Sequence, residues 1–281
     1  MQGVSRSSLA GRREELVRVA DDLDRDALLQ LSDELFAVVG VLAGNYGLRR
    51  SLSDPSVAPA AKSRVTESLL SGKVADITLE VVKDAVGVAW SQPRDLVDGV
   101  EILAAEAALI AAENDGTLDE VEDELFRFSR ILSAEPQLRA ALADVGLPAG
   151  TKRELLERLL SGKATDVTIR LLAQVVIAPR GRTIERAIAD VSELAAGRRD
   201  RLIARVTSAV QLSDQEQQDL SAALARVFGR ELYLQLVVDP SLVGGLTVRV
   251  GDEVIDASVA RQLDEARRRL TAGGAGRSRR V

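Results

Sequence analysis

Moved along by ninety positions, the chain falls back into register with itself. Asp33-Glu34-Leu35-Phe36 lands on Asp123-Glu124-Leu125-Phe126, and Leu69-Leu70-Ser71-Gly72-Lys73 lands on Leu159-Leu160-Ser161-Gly162-Lys163. Leu42/Leu132, Leu48/Leu138, Arg49/Arg139, Leu52/Leu142, Lys62/Lys152, Glu67/Glu157, Asp76/Asp166 and Thr78/Thr168 keep the same offset without a gap. A period this long is too large for a solenoid repeat, so it marks a duplicated domain. Most of the first 200 residues or so must therefore pack as two copies of one unit.

Composition narrows what such a unit is made of. Hydrophobic residues are 46% of the chain but aromatics only 2%. The cores must be Leu, Val, Ile and Ala, which suits helices better than a β-sandwich. The chain has no histidine and no cysteine. That removes the commonest general base, the commonest transition-metal ligand, the thiolate nucleophile and any disulfide. Ser-His-Asp chemistry is excluded, and no catalytic, cofactor or metal residue is expected. A net charge of −6 argues against general nucleic-acid binding, which needs a basic face. Met1–Arg13 lacks an apolar run of signal-peptide length. No uninterrupted apolar stretch reaches about 18 residues, so no spanning segment is expected and the chain reads as soluble and cytoplasmic. The longest apolar stretch lies near Ile102–Ala112 and is broken by Glu106.

Periodicity predicts helices in the first copy over about 9–22, 26–43, 47–53, 58–71 and 74–90, with Gly72 as a left-handed cap. The second copy repeats that order. Thr117-Leu118-Asp119-Glu120 reads as a capping box, and Gly162 ends the helix before Val167, Leu171, Leu172 and Val175. From Arg94 to Asn114 there is no proline, and Leu96, Val100, Leu103, Ala107 and Ile110 keep helical spacing. One continuous helix is expected to end the first bundle and begin the second, as a rod of roughly 30 Å holding them apart.

The pattern changes near residue 201. Ala204, Val206 and Ser208 alternate with Arg205 and Thr207 as a strand, and Ser213-Asp214-Gln215-Glu216 opens a helix to Gly229. Leu232–Val238 alternates strictly, Leu246–Val250 forms another strand, and Val254-Ile255 returns. A helix is expected over 257–270, and a disordered Arg-rich tail over 271–281. The expected fold is mainly α: two tandem helical bundles (1–100 and 101–200) sharing a connecting helix, then a small α+β domain of β-α-β-β-α order (201–270).

Leu232–Gly251, with Asp239-Pro240-Ser241-Leu242-Val243-Gly244-Gly245 at its centre, closely resembles the signature of the delta subunit of F-type ATP synthases, the oligomycin-sensitivity-conferring protein family. Gly251, Asp256 and Ser258 continue that signature. The resemblance covers about residues 102–270. Residues 1–100 are an additional N-terminal bundle, as in the actinobacterial branch. The resemblance implies a non-catalytic stator subunit at the cytoplasmic face of the cell membrane, one copy per complex, without membrane insertion or cofactor. It implies two partners. N-terminal helices of the alpha subunit would enter a groove between the first and fifth helices of a bundle, and the peripheral stalk b subunit would meet the C-terminal domain. On the second copy that groove maps to Leu109, Ile110, Thr168, Leu172 and Val176. Core filling explains each of these residues equally well, because core and groove stripes look alike in sequence. The alternative function is a free-standing helical adaptor that binds amphipathic helices. An enzyme is disfavoured because no convergent acid–base pair stands out.

Other features have bland readings beside the sharp ones. Ser71-Gly72-Lys73 and its copy lack the spacing of a phosphate loop and follow a helix, whose C-terminus carries the wrong sign for phosphate. The acidic run Asp119–Glu124 suits a helix N-terminus as well as a cation. Arg180, Arg182 and Arg186 suit either solvent or an acidic partner. Trp90 reads as core or as an interface anchor.

Overall fold

A computed structural model describes residues 3–228, 232–239, 245–250 and 253–258. The chain divides into two compact units, Met1–Ala196 and Gly197–Val281. The first unit opens with α1 (Gly3–Ala20), α2 (Arg25–Gly44), α3 (Tyr46–Ser53), α4 (Pro59–Leu70) and α5 (Asp76–Gly87). It continues with α6 (Pro93–Asn114), α7 (Leu118–Ala134), α8 (Pro136–Ala143), α9 (Ala149–Leu160), α10 (Asp166–Ile177) and α11 (Ile184–Leu202). Adding ninety converts the bounds of α3, α4 and α5 into those of α8, α9 and α10, residue for residue. The same shift carries α1 onto α6 and α6 onto α11. The expected continuous helix is therefore present, and it is at once the last helix of one copy and the first of the next.

The repeated residues are repeated for local reasons. Asp24 caps α2, accepting from the Ala27 N–H at 2.8 Å, and Asn45 starts α3 by accepting from Leu48 N–H at 3.0 Å. Gly72 and Gly162, at φ 70° and 69°, take the left-handed turn after α4 and α9. In the shared Asp-Glu-Leu-Phe motif, Glu34 accepts from the Ala75 N–H (2.9 Å) and the Thr78 hydroxyl (2.5 Å), closing the start of α5. Glu124 does the same for α10 through the N–H and hydroxyl of Thr165. This long-range cap ties the second helix of each copy to its fifth. The capping box expected at Thr117 does not form. No side chain caps α7 there, and the Thr117 hydroxyl donates back to Ala112 O of α6.

α6 is a shared core and not a spacer. Fourteen of its 22 residues are buried, including every position from Leu103 to Ala112. α1 and α2 cover one side, and α7 and α10 pack on the other. An apolar helix with neighbours on both sides buries more surface than a bare rod, which explains why the copies close on each other. α2, at 20 residues and mean hydropathy 1.5, is by length and composition apolar enough to cross a membrane. Here its apolar stripe, Leu28, Leu31, Leu35, Val38, Val39 and Leu42, is buried within the unit.

Side chains lock this arrangement. Glu106, which interrupted the apolar stretch in the sequence, is 1% exposed and pairs with Arg13 of α1, whose Nε donates at 2.7 Å. Trp90 is buried, donates Nε1–H to Ala85 O at 2.8 Å, and brings its six-membered ring close to Gly99. Its core reading holds. Arg180 and Arg182 are engaged internally. Arg180 reaches Asp98 (2.8 Å) and Glu101, and Arg182 reaches Glu101 (2.6 Å) and Asp190 (3.2 Å). Arg180 has φ 51°, a left-handed conformation that a non-glycine residue holds only when its surroundings over-determine it. Those ion pairs supply the constraint.

The second unit carries β1 (Ile203–Ser208), α12 (Asp214–Phe228), β2 (Tyr233–Val238), β3 (Gly245–Val250) and β4 (Glu253–Ser258). The sheet order is β2-β1-β3-β4, with β1 parallel to β2 and antiparallel to β3. A parallel pair requires a crossover, and α12 supplies it. Ala204, Val206, Val248 and Val250 form the core with Leu224 and Leu232. The capping box at Ser213 forms: its hydroxyl and N–H both donate to Glu216, at 2.7 and 2.8 Å. The return predicted at Val254-Ile255 is a full strand, β4, so Ala257 and Ser258 belong to sheet and not to helix. The rest of the expected helix over 257–270 and the expected tail over 271–281 lie outside the described residues.

Candidate functional site

The repeat provides the seam between first and fifth helices twice. On the second copy it lies between α6, α10 and α11, lined by Ile102, Ala105, Leu171, Gln174, Val191 and Leu194. Phe36, from α2 of the first copy, enters the same cleft. α2 is held over it by ion pairs across the copies. Arg25 bridges Asp115 and, at 2.6 Å, Asp166, and Asp33 pairs with Arg170. The two carboxylates hold the Arg25 guanidinium above its ordinary pKa, the Asp166 hydrogen bond contributing most. On the first copy the equivalent seam is lined by Arg12, Glu15, Leu16, Val19, Ile77, Glu80, Val81 and Asp84. Ile102 and Ala105 correspond there to Arg12 and Glu15, so the first copy's seam is the more polar one.

The five expected groove residues lie on α6 and α10, and all are buried. Leu109, Thr168, Leu172 and Val176 are 0% exposed and Ile110 4%. None of them lines the cleft. What reaches the surface is the half-buried rim of Ile102, Gln174, Val191 and Leu194. Sequence periodicity missed this rim because the cover comes from another copy: nothing local to 102–113 says that α2 lies on top. Of the signature residues, Asp239 follows β2, and its N–H donates to Ser208 O of β1 at 2.8 Å. Gly245 opens β3 at φ 81°, Asp256 pairs in register with Thr247, and Ser258 ends β4 opposite Gly245. Pro240, Gly244 and Gly251 lie outside the described residues. Among the described residues no group of acidic side chains is arranged to hold a metal.

The ATP synthase delta (OSCP) subunit family model matches residues 104–270, more than half of the chain. The protein belongs to that family. The ATP synthase subunit delta of Streptomyces griseus subsp. griseus is 48% identical over 270 residues, covering 96% of this chain and 99% of the relative. That of Thermobifida fusca is 47% identical over 96% and 99%, and that of Acidothermus cellulolyticus 44% over 97% and 100%. These alignments run nearly end to end, so the relatives share the N-terminal extension as well as the family core. A chain in the cryo-EM structure of the Toxoplasma gondii mitochondrial ATP synthase hexamer aligns with 59% of this chain and 94% of its own, at 18% identity and TM-score 0.34. Membership makes this a structural, non-catalytic delta subunit of the ATP synthase.

Proposed function

We propose that the protein is the stator link of its ATP synthase at the cytoplasmic face of the membrane. The helical unit grips N-terminal helices of alpha subunits, and the β1–β4 unit meets the b subunit of the peripheral stalk. The observation that carries this reading is the largely apolar cleft on the α6–α10–α11 seam, rimmed by half-buried Ile102, Val191 and Leu194. Helix-in-groove docking draws affinity from such anchors, and several seats on one chain add through effective concentration. Leu109, Ile110, Thr168, Leu172 and Val176 set the spacing of the seam, and Ile102, Gln174, Val191 and Leu194 touch the incoming helix.

The test is binding of an alpha-subunit N-terminal peptide to the full chain. Ile102→Asp and Val191→Asp place a charge on the rim and should weaken it at least tenfold. Leu172→Asp is a poor probe, because a buried carboxylate would unfold the bundle. Loss of binding in Val19→Asp alone would move the seat to the α1–α5 seam, which α2 leaves uncovered. Unchanged binding in all three variants would overturn the groove.

A further inference from the structure

The first copy contains an apolar cavity of about 200 Å³ lined by α2, α3, α4 and α5 and open at one side. Its wall includes Val38, Leu42, Leu52, Thr66, Leu70 and Val82. The wall's polar groups are turned away. Thr66 Oγ1 donates to Lys62 O at 3.0 Å, and Lys73 Nζ donates to Leu69 O at 2.8 Å. What faces the cavity is hydrocarbon. An apolar cavity of roughly 150 Å³ already stays dry and takes up benzene.

The second copy shows what belongs in this space. The counterparts of Val38, Thr66 and Val82 are Phe128, Leu156 and Leu172. All three are buried. The second copy thus fills with its own side chains a volume that the first copy leaves open. The mouth is apolar too: Val41 and Leu69 of the lining are 53% and 39% exposed, and Val65 lies one turn from Leu69 on α4. An open cavity with an exposed apolar lip fits something presented from outside.

We infer that this cavity is a receptor for one bulky apolar side chain, aromatic or branched aliphatic, presented on a helix of a neighbouring subunit in the assembled synthase. The inference rests on the stator reading for the source of that side chain. It does not need the α6–α10–α11 seam. Its occupant takes up the extra apolar volume by which Phe128, Leu156 and Leu172 exceed Val38, Thr66 and Val82.

Toluene is the probe, followed by methyl NMR shifts at Val38, Leu42, Leu69 and Val82. The isolated full chain should bind it, with shifts confined to these residues and a raised Tm. Val38→Phe and Thr66→Leu, which copy the second repeat, should each cut toluene affinity at least tenfold while raising the Tm of the unliganded chain. In the purified synthase the wild-type cavity should be closed to toluene. No binding to the isolated chain would overturn the inference, because the cavity would then not accept an apolar group. Equal binding before and after assembly would overturn it as well, because no neighbour would be filling the site. A chain that does not co-purify with alpha and b subunits would instead overturn the stator reading, and this inference with it.

Discussion

Two residues show how the repeat can be read as an internal control. A Cβ built at Gly99 would lie 2.5 Å from Cη2 of Trp90. Gly99→Ala gains helix propensity but must push a buried indole aside, so a net loss of about 1–3 kcal/mol is expected in urea unfolding. The Arg13–Glu106 pair is a sharper case. Moved together by ninety, the pair lands on Leu103, which is buried, and Ala196. Arg13→Leu alone leaves a carboxylate uncompensated in the core and should cost about 3–5 kcal/mol. Adding Glu106→Leu should recover most of that loss, because an apolar pair leaves no uncompensated charge in the core. No recovery would mean that the pair fixes the packing of α1 on α6 in a way that leucines cannot. In the sequence Glu106 read only as a break in an apolar stretch. Comparing Arg13 with Leu103 and Glu106 with Ala196 would have shown a charged pair standing where the second copy is apolar.

At the level of elements, the helices were legible because caps and breakers are local. Pro93 and Pro136 open helices at their first position, Gly72 and Gly162 follow helix ends, and Ser213 with Glu216 closes a box. The partners of the Asp-Glu-Leu-Phe motif were not legible, since Glu34 acts 41 residues away, on Ala75. Burial pushes the Glu34 carboxyl up, but hydrogen bonds from Thr78, Gln30 and the Ala75 N–H together outweigh it and hold it below its ordinary value of 4.5. A carboxylate lowered by folding stabilises fully above that value and loses its contribution as pH falls through its folded-state pKa. Glu34→Gln should therefore lower the urea midpoint at pH 7, with the gap to wild type narrowing below about pH 4.5. A constant gap across that range would assign Glu34 a packing role only. β4 was under-read for the opposite reason. Two apolar residues after a turn are a weak signal, and the strand's pairing with β3 supplies what the local pattern lacks.

For the whole molecule, duplication was visible at once, but the way the copies associate was not. Periodicity identifies an apolar face without identifying its cover, so α6 read as a rod between bundles. The candidate site shifted for the same reason, from five buried residues to a rim that Phe36 helps to close. Removing residues 1–92 would strip α1 and α2 from α6 and bare Leu96, Val97, Val100 and Ala104. The remainder, although it spans the family-model match, should self-associate in sedimentation and bind a hydrophobic dye. A monomeric, dye-silent fragment would show that α6 can be covered in another way. Removing residues 197–281 should abolish b-subunit binding and leave the helical circular dichroism of 1–196 intact. Retained b binding would place the stalk contact on the helical unit.

Because one helix serves both copies, there is no linker between them for evolution to loosen. A pull applied across the pair runs along a single backbone, in the direction of its own hydrogen bonds. Yielding there means unwinding a buried helix, so the two halves should creep or fail only together.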